Sequence, residues 1–376
     1  MPISSDKGNF IKPGFDPLAA QTTETVFSLF SWGLNNNGNL GLGDTANRSS
    51  PVQLGATNAW AQVGNGAGNG LAVTPAGTLY SWGYGYSGAL GLGDTANRSS
   101  PVQVGALTTW LDVVGGTYFN AAFKTDGTLW MWGYNAVGSL GQGNTTAQSS
   151  PVQVGALTTW SKLSTGANNT LALTTAGTLY AWGYNGKGQL GQGNTTNTSS
   201  PVQVGALTTW SKIASGYQHS LAITTDGKLY AWGYNGVGNL GLGNTTNYSS
   251  PVQVGSLTTW LDVAAGREYS LAIKTDGTLW SWGHNTNGQL GQGNTTSYSS
   301  PVQVGALTTW LDVAGGRYHT LATTTDSKLY AWGYNNHGQL GQGNTTNTSS
   351  PVQVGALTGW SALSSMPASR ESIVLF

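Results

Sequence analysis

The chain has 376 residues, no cysteine, and fourteen basic residues balanced by fourteen acidic ones. Charged residues make up 7% of it, against a usual share of about 25%. No run of like charge occurs, so the sequence shows no basic stripe for nucleic-acid phosphates or for an anionic membrane surface, and the lack of cysteine excludes disulfides and thiolate metal sites.

No apolar run reaches transmembrane length, so no membrane insertion is expected. A neutral surface of Ser, Thr and Asn suits an extracellular or particle-bound binding protein. Residues 1–26, "MPISSDKGNFIKPGFDPLAAQTTETV", lack the apolar core of a signal peptide, so synthesis in a cytoplasm is expected. The segment reads as an extended anchoring arm. Phe10, Ile11, Phe15 and Leu18 are its candidate anchors into a neighbouring subunit, and Pro13 and Pro17 keep it extended.

From residue 27 to 376 one unit recurs every 50 residues. "PVQ" stands at 51, 101, 151, 201, 251, 301 and 351, and "WG" at 32, 82, 132, 182, 232, 282 and 332. A further tryptophan falls at 60, 110, 160, 210, 260, 310 and 360, so two series hold fourteen of the sixteen tryptophans. Within one unit, "WSKIASG" and "HSLAITT" read as short strands, and Thr225-Asp226-Gly227 as a hairpin leading into "KLYAWGY". Alternation there puts Leu229 and Ala231 on one face, Tyr230 and Trp232 on the other. "PVQVG" at 251 supplies a fourth strand, with Val252 and Val254 on one face. No segment shows a helical period. Four antiparallel strands repeated seven times predict an all-β, seven-bladed propeller whose blades bury their faces only by stacking. The first and last units are incomplete in complementary ways. The strands around Leu363 and 373–376 are therefore expected to pair with residues 27–32 in a composite blade.

The stretch "HSLAITTDGKLYAWGYNGVGNLGLGNTT" followed by "SPVQV" resembles the regulator of chromosome condensation (RCC) repeat, and the resemblance spans about residues 27–376. It implies a seven-bladed propeller. The regular double glycine of kelch repeats and the WD signature are absent. The polar loop "WGYNGKGQLGQGNTTNTSS" at 182–200 reads as scaffold: Gly183, Gly188, Gly191 and Gly193 allow the turns, Leu190 pins the loop, and Asn185 and Asn194 suit turn conformations. Its glycine spacing has no strand–loop–helix context, so it is no phosphate cradle, and no cofactor is expected.

Near-identical units point to function where they differ. The segments between the first two strands diverge most. They include Tyr118 and Phe119, then Tyr217, Gln218 and His219, then Arg267, Glu268 and Tyr269, and finally Arg317, Tyr318 and His319. These are the candidate binding residues, because aromatic and arginine clusters are favoured at binding hot spots. Residue pairs in the long loops, such as Tyr86-Ser87 and Asn336-His337, are expected to project outward without a role. His219, His319 and the intervening Glu268 form too thin a set for a metal or acid–base site, and neither a catalytic nor a metal site is expected.

Members of the RCC family serve as GTPase exchange factors, β-lactamase inhibitors, ubiquitin-ligase modules and a UV-B photoreceptor. The "GWRHT" motif of the photoreceptor is met here by "GYQHS", "GREYS" and "GRYHT", with Tyr217, Arg267 and Arg317 in the tryptophan's place. The chain also resembles bacteriophage-encoded propellers. That resemblance implies a non-enzymatic virion protein of a capsid or tail, anchored to other virion proteins through residues 1–26. It would be made in a host cytoplasm and display a recognition surface for a host glycan or protein. The alternative is a soluble bacterial protein-binding propeller, an inhibitor or interaction module, that uses the ring of inter-strand turns.

Overall fold

The computed structural model describes residues 26–55, 60–364 and 366–376. The anchors Phe10, Ile11, Phe15 and Leu18 lie outside them. Among the described residues the chain forms seven four-stranded antiparallel sheets and a single short 3-10 turn, Tyr86–Gly88. The expected all-β, seven-bladed architecture holds.

The fourth blade serves as the type. Its strands are Trp210–Ser215, His219–Thr224, Leu229–Gly233 and Tyr248–Gln253, in that spatial order. Alternation in the third strand directs its two faces to different neighbours. Leu229 and Ala231 pack with Trp260, Val263 and Trp282 of the fifth blade. Tyr230 and Trp232 pack with Leu171, Leu173 and Leu190 of the third. The fourth strand begins three residues before the expected proline, and its register shifts between Ala231 and Gly233. Val254 lies just beyond that strand; it is buried, and its N–H donates to Leu229 O at 2.8 Å. Val252, expected on the same face, is only partly covered.

The ring closes as the incomplete ends require. Leu29–Gly33 lies between Arg48–Gln53 and Glu371–Leu375, with Ala362–Ser364 innermost. Leu29 faces Leu375 and Gly33 faces Glu371. Phe30, Trp360 and Phe376 meet edge to face at 5.1–5.7 Å, which adds aromatic packing to the ladder.

The polar loop also joins blades. Each "WG" indole donates to a backbone carbonyl in the preceding blade's loop at 2.9–3.0 Å, as from Trp232 Nε1 to Gln189 O. The bond from Trp32 to Gln339 closes the circle. Within the loop, Asn185 Nδ2 donates to Asn194 O at 3.1 Å and Asn185 Oδ1 accepts from Leu190 N–H at 2.9 Å. The loop is scaffold, and it is the clamp between neighbours.

Candidate functional site

The turns between first and second strands share one construction. Gly216 N–H donates to His219 O at 2.7 Å, closing a tight turn that presents Tyr217 and Gln218. The third residue of each variable segment does not join them at the surface. Phe119, His219, Tyr269 and His319 are fully buried, which corrects their expected place in the binding set. Each begins the second strand, which is covered on both faces, and its side chain turns into the blade interface. His219 Nε2 meets Ser270 Oγ at 3.0 Å, and His319 Nε2 meets Ser372 Oγ at 3.2 Å. Tyr269 donates its hydroxyl to His319 O, and Phe119 packs in the core against the third blade. Burial holds the imidazoles neutral, pushing His219 down to about 3 and His319 to about 4. These side chains lie over Gly116, Gly216, Gly266 and Gly316; a Cβ at Gly216 would stand 2.1 Å from the His219 ring.

The other candidates remain at the surface, half-buried: Tyr118, Tyr217, Gln218, Arg267, Glu268, Arg317 and Tyr318. Three consecutive blades are joined there. The Arg267 guanidinium lies 4.5 Å from the Tyr217 ring centroid and 5.8 Å from that of Tyr318, and Arg317 lies 5.4 Å from Tyr318. Arg267 Nε approaches Glu268 Oε1 at 3.9 Å. Such cation–π contacts fix two long side chains while leaving their edges exposed.

Sequence reasoning missed two contributors. The residue after each "WG" belongs to this face, as do some loop residues expected to point away. Tyr84 stacks on Tyr86 at 5.9 Å, and both meet Tyr118 edge-on at 6.0 and 5.2 Å. Tyr318 touches His284 at 5.9 Å and Tyr334 at 6.3 Å, and Tyr334 touches His337. The near-constant tyrosine of "WGY" looked like scaffold, which hid it. The second omission is Arg370. The pairing of Gly33 with Glu371 matches that of Gly333 with His319, so Arg370 occupies the place of Tyr318 in the seventh blade. Aligning "ASRES" on "GRYHT" would have revealed it. A cavity of about 270 Å³ opens where the fifth, sixth and seventh blades meet, with His284 and Asn287 of the fifth, Arg317, Tyr318 and Tyr334 of the sixth and Arg370 of the seventh in its wall.

The innermost strands surround a second cavity, of about 150 Å³, on the axis. Charged side chains gather where those strands begin. Lys162 Nζ donates to Ser211 O at 2.8 Å, and Lys212 stands 3.6 Å from Asp262. Burial raises Asp112 to about 7; burial and the charge of Asp262 raise Asp312 to about 8. Lys212 and Asp262 offset one another there, whereas burial disfavours the charged forms of Asp112 and Asp312. Among the described residues no group of three or more histidines and carboxylates is placed to hold a metal ion.

A family model described as the RCC1-like domain matches residues 107–373, and one for the regulator of chromosome condensation (RCC1) repeat matches 28–73 and 76–123. No curated protein matches the chain. Among solved structures, Prp20p from Saccharomyces cerevisiae is 22% identical, covering 93% of this chain and 91% of its own, with a TM-score of 0.83. Human WBSCR16 is 20% identical, covering 93% and 99%, with a TM-score of 0.84. Yeast RCC1 (Prp20) bound to Kap60 is 21% identical, covering 100% and 94%, with a TM-score of 0.83.

Proposed function

Because the chain belongs to the RCC1-like domain family, we propose that it is a non-enzymatic binding propeller whose inter-strand turn face engages a protein partner. The observation that carries this reading is the continuous Tyr217–Arg267–Tyr318–Arg317 surface across three blades. Aromatic and arginine side chains held rigid by their neighbours lose little freedom on binding, which favours them as anchors. The relatives fit it. Prp20p is described with binding properties toward Gsp1p and histones, and in a complex with Kap60. They lend no support to the virion reading.

The test is affinity capture from the source cell, followed by titration of the captured partner. Tyr118→Ala/Tyr217→Ala should weaken binding by about tenfold or more, the scale of a hot-spot truncation. Removal of residues 1–26 should leave it intact. Binding that survives the double substitution but is lost with residues 1–26 would instead place recognition on the arm.

A further inference from the structure

We infer that the cavity where the fifth, sixth and seventh blades meet is an anchoring pocket for a carboxylate side chain, aspartate or glutamate, on a protein partner; this rests on the protein-binding reading of the face.

Arginine usage points there first. The chain has five arginines. Arg48 and Arg98 are spent on ion pairs with Asp44 and Asp94 in the long loops. The other three, Arg267, Arg317 and Arg370, stand on the turns of three successive blades. Arg267 has Glu268 beside it at 3.9 Å. Arg317 and Arg370 form no ion pair among the described residues, and the buried Nε of Arg317 has no hydrogen-bond partner there. A zero-net-charge chain thus concentrates unspent positive charge in one sector of one face.

Two acids lie nearby: Glu268, whose charge also acts on His284 in the cavity wall, faces Arg267, and Glu371 accepts the Arg370 backbone N–H at 3.1 Å without an ion pair to its guanidinium. Glu371 follows Arg370, yet its carboxylate turns inward, where Oε1 accepts from Gly68 N–H at 2.8 Å. His284 in the cavity wall is tied through its two ring nitrogens to Thr286 and Gln289, and burial lowers its pKa. Size sets the class of guest. About 270 Å³ falls just under the roughly 300–1,000 Å³ of small-molecule sites, so one side chain fits better than a cofactor. Guanidinium forks match a carboxylate's two oxygens, while Tyr318 and Tyr334 can cover its methylene stem.

The test titrates the full chain with hexaglutamate, hexaglutamine and inorganic phosphate by calorimetry at low and high salt. Hexaglutamate should bind, weaken with salt and outbind both other probes. Arg317→Gln and Arg370→Gln should each weaken it at least tenfold, Arg317→Lys less, and Arg48→Gln not at all. Thermal melts identify any variant that fails to fold, and either glutamine variant alone decides the question. Equal binding of hexaglutamine, insensitivity to both glutamine substitutions, or tighter binding of phosphate would each overturn the inference. If it falls while the captured partner still depends on Tyr118 and Tyr217, the protein-binding reading of the face stands without it.

Discussion

At Gly191 two constraints coincide. Its φ is +71°, and a Cβ there would stand 2.8 Å from Nε1 of Trp232, the atom that clamps the next blade. Gly205 has a φ of +61° and nothing within 4 Å of the same added atom. The two positions therefore separate backbone cost from steric cost. Gly205→Ala should cost about 1–2 kcal/mol, the left-handed penalty alone. Gly191→Ala should cost more, because it also displaces a buried indole whose hydrogen bond is worth roughly 1 kcal/mol. Urea denaturation of both variants checks this; equal midpoints would mean that the clamp yields without loss. Variation at other residues also has a packing cause. Where the third strand carries Trp130 or Trp280, Lys124 or Lys274 lies 3.6 Å over the ring. Where it carries Tyr230 or Tyr330, a threonine replaces that lysine and bonds Asp226 or Asp326.

The closing blade depends on a buried acid. Glu371 fills the position held by His219 and His319 in other blades, and burial raises its carboxyl to about 7 from 4.5. Between those values the folded chain binds more protons than the unfolded one. Its contribution is therefore fully present below pH 4.5 and is lost as pH rises through about 7, a change of about 3 kcal/mol. His219 and His319, held low, act in the opposite sense, so wild type must be compared with Glu371→Gln, in which both histidines remain. The variant's stability should fall less between pH 5 and pH 8 than that of wild type; parallel curves would refute the assignment. The blades themselves were legible from sequence because the 50-residue period and the two tryptophan series mark strands and count together. The inward turn of His219 and Tyr269 was not. A second strand buried on both faces shows no alternation, so a polar residue at its start looks like a surface residue. Arg370 escaped because its turn lacks the glycine that marks the others.

At the scale of the ring, each blade buries its apolar faces against two neighbours, and the seventh is assembled from both ends of the sequence. Removing residues 371–376 would strip one of the two strand partners from Leu29–Gly33 and uncover Leu29, Leu54 and Trp60, which share a cluster with Ile373 and Leu375. The shortened chain should melt at a lower temperature than the full chain and self-associate through the opened edge. Calorimetry with light scattering checks this, and a monomer with an unchanged melt would show that six blades suffice.

The same closure has a mechanical meaning. Leu29 opposes Leu375, and Ser28 and Phe376 exchange backbone hydrogen bonds just outside them. The chain thus enters and leaves this ladder at one end. Tension between the two ends pulls the strands apart from that end and loads their hydrogen bonds one after another, as in a zip, rather than all together in shear. The seam that seals the ring against heat is the seam through which force opens it.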